Sequence, residues 1–176
     1  EVILMMKETP HDFFLTHPDN YYIQKMDRPV IVEFDLGNEY SGQGVVANTW
    51  PEHVMKRWNS YIHCPNVTGY VARTDRYGNT SIVNTANAIQ LDALKRMTED
   101  PKISVDRVYN EFIESEYGNT ALLPIKKAFQ KAFDIVTSVF YTLGTNLTDH
   151  SSLNYENNKW GYSRHVSGRW IDPPVV

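Results

Sequence analysis

The chain has 176 residues, of which 41% are hydrophobic, and a formal net charge of −4. This composition is too apolar and too weakly charged for a disordered segment, and its mild acidity argues against a nucleic-acid partner, which needs a basic surface. The single cysteine, Cys64, excludes an internal disulfide and a cysteine-based zinc site, and the apolar runs are too short to span a membrane. We predict no metal, no cofactor and no membrane partner, and leave the compartment open between bacterial cytoplasm and periplasmic or secreted space.

Three strand-like segments lie at residues 2–7, 29–34 and 66–73. The first two are nearly continuous apolar runs, a pattern typical of strands buried on both faces of a parallel sheet. Short helices are predicted between the strands, over residues 18–26 and 51–62. The second is favoured because proline is well tolerated at a first helical position.

The spacing of the strands resembles that of a (β/α)₈ barrel. Strand starts recur after about 28 and then 37 residues, and a TIM barrel has roughly 31 residues per unit. Three strands cannot close a barrel, and the chain opens directly on a strand. We therefore predict an α/β fold in which residues 1–80 are the last strands of a TIM barrel whose earlier strands lie upstream. On spacing alone, a small self-contained α/β domain with an open sheet is the favoured alternative.

The remainder, residues 81–176, is predicted to be a mainly helical C-terminal domain with a polar and aromatic tail. A helix over 82–98 has apolar residues near 3.6-residue spacing. Ser104 and Gly118 are suited to cap a helix between them, and the longest helix is expected over 121–143. Its aromatic stripe is more typical of a core than of a cofactor site, and the helical region can also support a homodimer.

Charged side chains follow the ends of all three predicted strands. Lys7 and Arg73 end the first and third strands, while Asp12 and Glu39 lie in the loops after the first and second. Active residues of parallel barrels lie at these ends. Two neighbouring carboxylates suit glycosidic hydrolysis, in which an inverting enzyme uses a carboxylate to activate water, and a lysine can pair with an anionic substrate. On spacing alone, a loop-capping Asp12 in a surface ion pair with Lys7 is the favoured alternative.

Two tryptophans, Trp50 and Trp160, are candidates for stacking on sugar rings, although tryptophan is more often a packing residue. The histidines have no spacing typical of metal ligands.

Two motifs around the acidic residues resemble the α-glucuronidases of glycoside hydrolase family 67. Residues 7–13, Lys-Glu-Thr-Pro-His-Asp-Phe, are similar to the family's strand ending in lysine, Gly-Pro-type turn and Asp-Phe pair. Residues 32–43 resemble its Glu-Phe-Gln-x-x-Gln-Glu-Tyr-x-Gly-Gln stretch. The two blocks are in the family's register, with 27 residues from Asp12 to Glu39, and the resemblance continues loosely after residue 66.

The resemblance implies inverting hydrolysis of the α-1,2 link between 4-O-methyl-glucuronic acid and xylose, as in xylan degradation. Asp12 and Glu39 would be the base-side carboxylates and Lys7 the contact to the uronate. Arg73 is a further candidate for substrate binding because of its position at the end of the third strand. The general acid would be a glutamate on an earlier barrel strand, so these 176 residues alone are expected to be inactive. The alternative function is a non-catalytic carbohydrate-binding or interaction module derived from the same fold.

The chain departs from the family pattern in both motifs. Residues 8–10 are Glu-Thr-Pro where the family has Asn-Gly-Pro, and residues 36–38 are Leu-Gly-Asn where it has Ile-Thr-Gln. Glu8 adds a negative charge beside the expected uronate site, which opposes binding unless its side chain points away. These departures leave open another uronic acid or another linkage.

Overall fold

A computed structural model describes residues 2–42, 46–74, 82–142 and 145–146. The strands are β1 (Leu4–Lys7), β2 (Val30–Asp35), β3 (Val67–Arg73), β4 (Tyr141–Thr142) and β5 (Thr145–Asn146). The α-helices are α1 (Pro51–Asn59), α2 (Ala88–Glu99), α3 (Val105–Tyr117), α4 (Leu122–Phe129) and α5 (Ala132–Phe140). Single 3₁₀ turns cover Ile23–Lys25 and Asn119–Ala121.

The first three strands form a parallel sheet in the order β1-β2-β3. Lys7 is in register with Glu33, and Asp35 is in register with Arg73. The carboxyl ends of the three strands therefore lie at one edge of the sheet, which confirms the predicted mixed α/β class with parallel strands.

The sheet has one covered face and one open face. Val30, Val32 and Phe34 of β2 are at most 1% exposed, because alternate residues of a strand point to the same side and this side packs against the helices. On the other side, Met5 is 63% exposed and Val71 is 38% exposed. Burial on both faces is therefore wrong for the described part of the chain, in which no element covers the second face.

The core lies between the sheet and the helices. A single cluster of buried apolar side chains runs from β2 through α1, α2 and α3 to α5. Trp58 of α1 contacts both Phe34 and Tyr70 edge to face, with ring centroids 6.1 and 5.4 Å apart. Aromatic packing of this kind joins the helix layer to β2 and β3.

The third helix agrees with the prediction at both ends. The Ser104 hydroxyl accepts a hydrogen bond from Arg107 N, and Gly118 has φ of 80°, a conformation that costs glycine little. The second helix begins later than expected, at Ala88, because Asn84 has a left-handed backbone with φ of 64° that no α-helix contains.

Two predicted helices differ in the structure. The 121–143 helix is divided into α4 and α5, since Lys131 N bonds back only three residues to Ala128 O and the Phe129 carbonyl accepts a hydrogen bond from Thr49 Oγ1. The 18–26 helix is reduced to one 3₁₀ turn, because the Asn20 side chain binds the Lys7 carbonyl and holds this segment at the end of β1. No helix in the described ranges is long and apolar enough to cross a bilayer.

Candidate functional site

The candidate site lies at the carboxyl edge of the parallel sheet. Lys7 ends β1 and Arg73 ends β3, and the ring of Phe13 stands beside both cations, 4.6 Å from Lys7 Nζ and 5.8 Å from Arg73 Cζ. Asp12 directly precedes Phe13, and Glu39 is paired with Arg73. The structure thus brings together four of the residues that the sequence predicts for the site.

Three hydrogen bonds hold Asp12 in its ionised form. Its Oδ1 accepts from Lys7 Nζ at 2.7 Å and from Phe13 N at 3.1 Å, and its Oδ2 accepts from the Tyr40 hydroxyl at 2.5 Å. Burial alone raises the pKa of Asp12, but these bonds and the Lys7 charge outweigh it, and the net pKa is below the usual value. Asp12 is therefore a carboxylate at neutral pH, as a base must be.

The second carboxylate, Glu39, is almost completely buried. Its side chain is 6% exposed, and Oε2 pairs with Arg73 at 3.1 Å. Asp35 Oδ2 accepts a hydrogen bond from Glu39 N at 2.7 Å, which fixes the start of the loop after β2. Burial lowers the pKa of Arg73, but the nearby Asp35 and Glu39 carboxylates more than reverse this. Each acidic residue of the site therefore has its own permanent cation.

Buried amide side chains support the loop that carries Glu39. Asn38 adopts φ of 59°, a left-handed conformation that asparagine tolerates better than most residues. Gln90 of α2 donates to Asn38 Oδ1 at 3.3 Å and to the Asn48 carbonyl at 2.6 Å. No local sequence pattern predicts this network. Its signal was a glutamine inside the apolar stripe of α2, where it is 2% exposed.

Tyr40 joins the two loops of the site. Its hydroxyl binds Asp12, and its ring packs on Phe14 with centroids 4.2 Å apart. Tyr40 and Gln43 both belong to the second motif block, residues 32–43. The contact with Asp12 makes Tyr40 a direct partner of a candidate base, whereas Gln43 lies outside the described residues.

Glu8 points away from Lys7 and toward the helices. Its Oε2 lies 3.5 Å from Nε of Arg57 on α1, and the two side chains are 14% and 7% exposed. Neighbouring residues of an extended chain point to opposite sides, so Lys7 faces the open edge while Glu8 is buried. In this arrangement the Glu8 charge does not face the expected uronate site.

Burial changes the ionisation of Glu8. It raises the pKa from 4.5 to about 7, against the opposing effect of Arg57. The folded protein therefore keeps this proton up to about pH 7, whereas the unfolded chain releases it near pH 4.5. Because the folded state binds more protons in this interval, the Glu8 contribution to the free energy of unfolding falls as the pH rises from 4.5 to 7.

Replacing Glu8 by Gln should therefore stabilise the protein at high pH. We expect a gain of about 1–3 kcal/mol in the free energy of unfolding at pH 8, and none below pH 4.5. Urea unfolding followed across this pH range measures the difference. Glu114→Gln on the exposed face of α3 is the matched control. A Glu8→Gln gain that does not change with pH would contradict the buried acid.

A small cavity lies beneath the loops, lined by Glu8, Asp35, Trp50, Gln90 and others. Its volume of about 20 Å³ has room for one water molecule. A sugar ring cannot enter this cavity.

Trp50 does not contribute to the carboxyl edge of the sheet. Trp50 is 1% exposed and packs edge to face on Phe133 at 5.6 Å. Neither face of its ring is free for a sugar. Trp50 is therefore a packing residue, which was the alternative to sugar stacking. Trp160 lies outside the described residues.

No protein-family model matches the chain, and no curated protein matches it significantly. In the described ranges, no group of three His, Cys, Asp or Glu side chains is arranged to hold a metal ion.

Proposed function

We propose that this chain supplies the water-activating half of an inverting, α-glucuronidase-type hydrolase site. The observation that carries the proposal is the joined pair of carboxylates at the strand ends. Asp12 and Glu39 come from adjacent loops, each is paired with a cation, and Tyr40 hydrogen-bonds from the Glu39 loop to Asp12. The motif register shared with family 67 points to the same two residues.

The proposed chemistry divides between two sides of the sugar. One of the two carboxylates takes a proton from water as the water oxygen attacks the anomeric carbon, and the glycosidic bond breaks on the opposite face. A general acid from an upstream segment of the gene product protonates the departing oxygen. Attack from the opposite face inverts the configuration of the anomeric carbon.

The cationic side chains of Lys7 and Arg73 favour a substrate that carries a negative charge. The Lys7 side chain is 38% exposed and its ammonium has three N–H donors, one of which binds Asp12. The Arg73 side chain is 29% exposed, and its Cζ lies 5.8 Å from the centre of the same Phe13 ring. A uronate carboxylate that approaches this edge meets both positive charges.

The open sheet face supports placement of the strands in a barrel. Two apolar residues on the helix-free side, Met5 and Val71, are 63% and 38% exposed. Ile3, which directly precedes β1, is 54% exposed. Apolar side chains at these positions suit the interior of a barrel, which side chains from the other strands fill. An isolated open sheet leaves them in water.

A non-catalytic carbohydrate-binding module is the second candidate. The observation in its favour is that both carboxylates are already neutralised by cations, and that Lys7 and Asp12 form the ion pair expected of a structural loop cap. Such a module binds an acidic glycan at the same edge without turnover.

Release of free glucuronic acid from aldouronic oligosaccharides separates the two functions. The protein to assay is the whole gene product that contains these residues. We expect glucuronic acid to be released and neutral xylo-oligosaccharides to remain intact. Saturable binding without release would favour the module, and neither binding nor release would reject both.

Lys7→Met should lower activity on a charged substrate more than on an uncharged one. We expect kcat/KM for a glucuronate substrate to fall about tenfold or more, because a hydrogen bond to a charged group contributes ~1.5–3 kcal/mol. The uncharged methyl ester of the same substrate should lose much less. Lys25→Met, which removes a lysine that also lies over an aromatic ring, is the control. Equal losses for acid and ester would count against a uronate contact.

A further inference from the structure

The hydroxyl of Tyr141 bridges the two loops that carry the candidate bases. It donates to the Tyr40 carbonyl at 2.8 Å and accepts from Leu15 N at 3.1 Å. Leu15 follows Asp12 by three residues, and Tyr40 directly follows Glu39. One side-chain oxygen at the end of α5 is thus bonded to the backbone of both loops.

We infer that Tyr141 is a positioning residue that sets the placement of the Asp12 loop relative to the Glu39 loop. This inference rests on the proposed function for its catalytic consequence, although the bridge itself is a feature of the fold. Both of these bonds go to main-chain atoms. They therefore constrain the loop backbones directly.

Packing reinforces the bridge. Phe13, Phe14 and Tyr40 form a small apolar cluster of their own, at most 5% exposed, and Tyr141 packs against it. Tyr141 also packs against the main core. Tyr141 therefore contacts both the helical layer and the loop cluster. Its ring and its hydroxyl hold the same two loops in place.

The bridge is transmitted to the site through Tyr40. The Tyr40 carbonyl is held by Tyr141, and the Tyr40 hydroxyl donates to Asp12 Oδ2. A shift of the Tyr40 backbone therefore moves the donor away from Asp12 and changes the position of Glu39 next to it. Misplacement by about 1 Å can cost on the order of 10²-fold in rate, so a small loop movement is sufficient to affect catalysis.

The bridge also connects the two regions that the sequence divides at residue 80. Tyr141 belongs to the helical region, while its partners lie in the loops after β1 and β2. In this inference the helical region covers the sheet and also supplies the residue that holds the two loops of the site together.

Tyr141→Phe removes only the bridging hydroxyl, and its effect is measured in the gene product. We expect kcat for glucuronate release to fall about tenfold, with KM changed less than twofold. Tyr109→Phe is the matched control, because the Tyr109 hydroxyl also joins two elements, through Glu52 and the Thr49 carbonyl, away from the site. It should lower the melting temperature without lowering kcat. Unchanged kcat in folded Tyr141→Phe would overturn the catalytic consequence.

A second readout does not depend on turnover. Carbon NMR of the Asp12 carboxyl measures its titration, on which burial, Lys7 of β1, Tyr40 of the next loop and the Phe13 N–H act, and which is coupled to the charge of His17. We expect the Asp12 pKa to rise in Tyr141→Phe and in Tyr40→Phe. The double variant should show no further rise, because Tyr141→Phe displaces the same Tyr40 hydroxyl that Tyr40→Phe removes. An unchanged pKa in Tyr141→Phe, or additive shifts, would overturn the bridge.

The two failures are distinguishable. If the wild-type protein releases no glucuronic acid but Tyr141→Phe shifts the Asp12 titration, the bridge stands and the proposed function fails. Should Tyr141→Phe not fold, hydrogen exchange of the Leu15 amide in the wild type still decides. Slow exchange supports the bridge, whereas exchange at the rate of an open loop would overturn it.

Discussion

Glu39→Gln and Asp12→Asn should each lower kcat for glucuronate release by about 10²–10⁴-fold, the usual contribution of a general base. Each change keeps the shape of the side chain and removes its capacity to take a proton from water. Because Lys7 and Arg73 are 38% and 29% exposed, the cation that loses its partner keeps contact with water, and neither amide variant should abolish folding. Initial rates at saturating substrate measure the effect.

Glu33→Gln provides the matched control for these variants. Glu33 lies on β2 in register with Lys7, near the same edge of the sheet, and has no role in the proposed reaction. We expect its kcat to stay within a fewfold of wild type. Activity that survives both Asp12→Asn and Glu39→Gln would remove the basis for assigning water activation to this pair.

Arg57→Met should cause the largest loss of stability. The Arg57 side chain is 7% exposed and pairs with Glu8 and Asp19, while its guanidinium also donates to the carbonyls of Leu15 and His17. Removing one partner of a buried ion pair leaves the other charge uncompensated, which costs about 3–5 kcal/mol. Methionine keeps most of the volume, so the loss reflects charge and hydrogen bonding.

Urea unfolding at pH 8 measures this loss, with Arg107→Met as the control. Arg107 forms an exposed pair with Glu111 on α3, and such surface pairs contribute about 0–1 kcal/mol. The Arg57→Met loss should be smaller at pH 5, where Glu8 is protonated in the folded protein and only the 41% exposed Asp19 carboxylate is left without its cation. A loss below about 1 kcal/mol at pH 8 would show that Arg57 does not neutralise Glu8.

The parts of the fold that depend on local signals were predictable. The β-branched and aromatic runs marked all three parallel strands to within three residues at each end, and the helix Val105–Tyr117 was located from Ser104 and Gly118. These features arise from backbone preference and capping, which act within a few residues. The sequence also predicted which strand ends carry charge, because parallel strands align their carboxyl ends.

Features that depend on tertiary contacts could not be predicted in this way. Thr49, which hydrogen-bonds to the last residue of α4, lies 80 residues earlier in the sequence. The left-handed turn at Asn84 delays the start of α2. Neither the Thr49 contact nor the Asn84 turn can be seen in the spacing of apolar residues. The sequence pattern therefore overestimated the lengths of both predicted helices.

The candidate site shows the same division. Lys7, Asp12, Glu39 and Arg73 follow from strand ends and motif register, and the structure places them at one edge. Tyr141, which lies 101 residues from Tyr40 in sequence, has no local signal for a role at the site. Buried polar residues of this type become visible only when a partner for each hydrogen bond is identified.

The most direct test of the central claim is the stereochemistry of the first product. Proton NMR of the whole gene product acting on an aldouronic oligosaccharide shows which anomer of glucuronic acid forms before mutarotation. Water activation by Asp12 and Glu39 on the face opposite the leaving oxygen predicts that the β anomer appears first. Initial formation of the α anomer, or no release of glucuronic acid at all, would contradict this function.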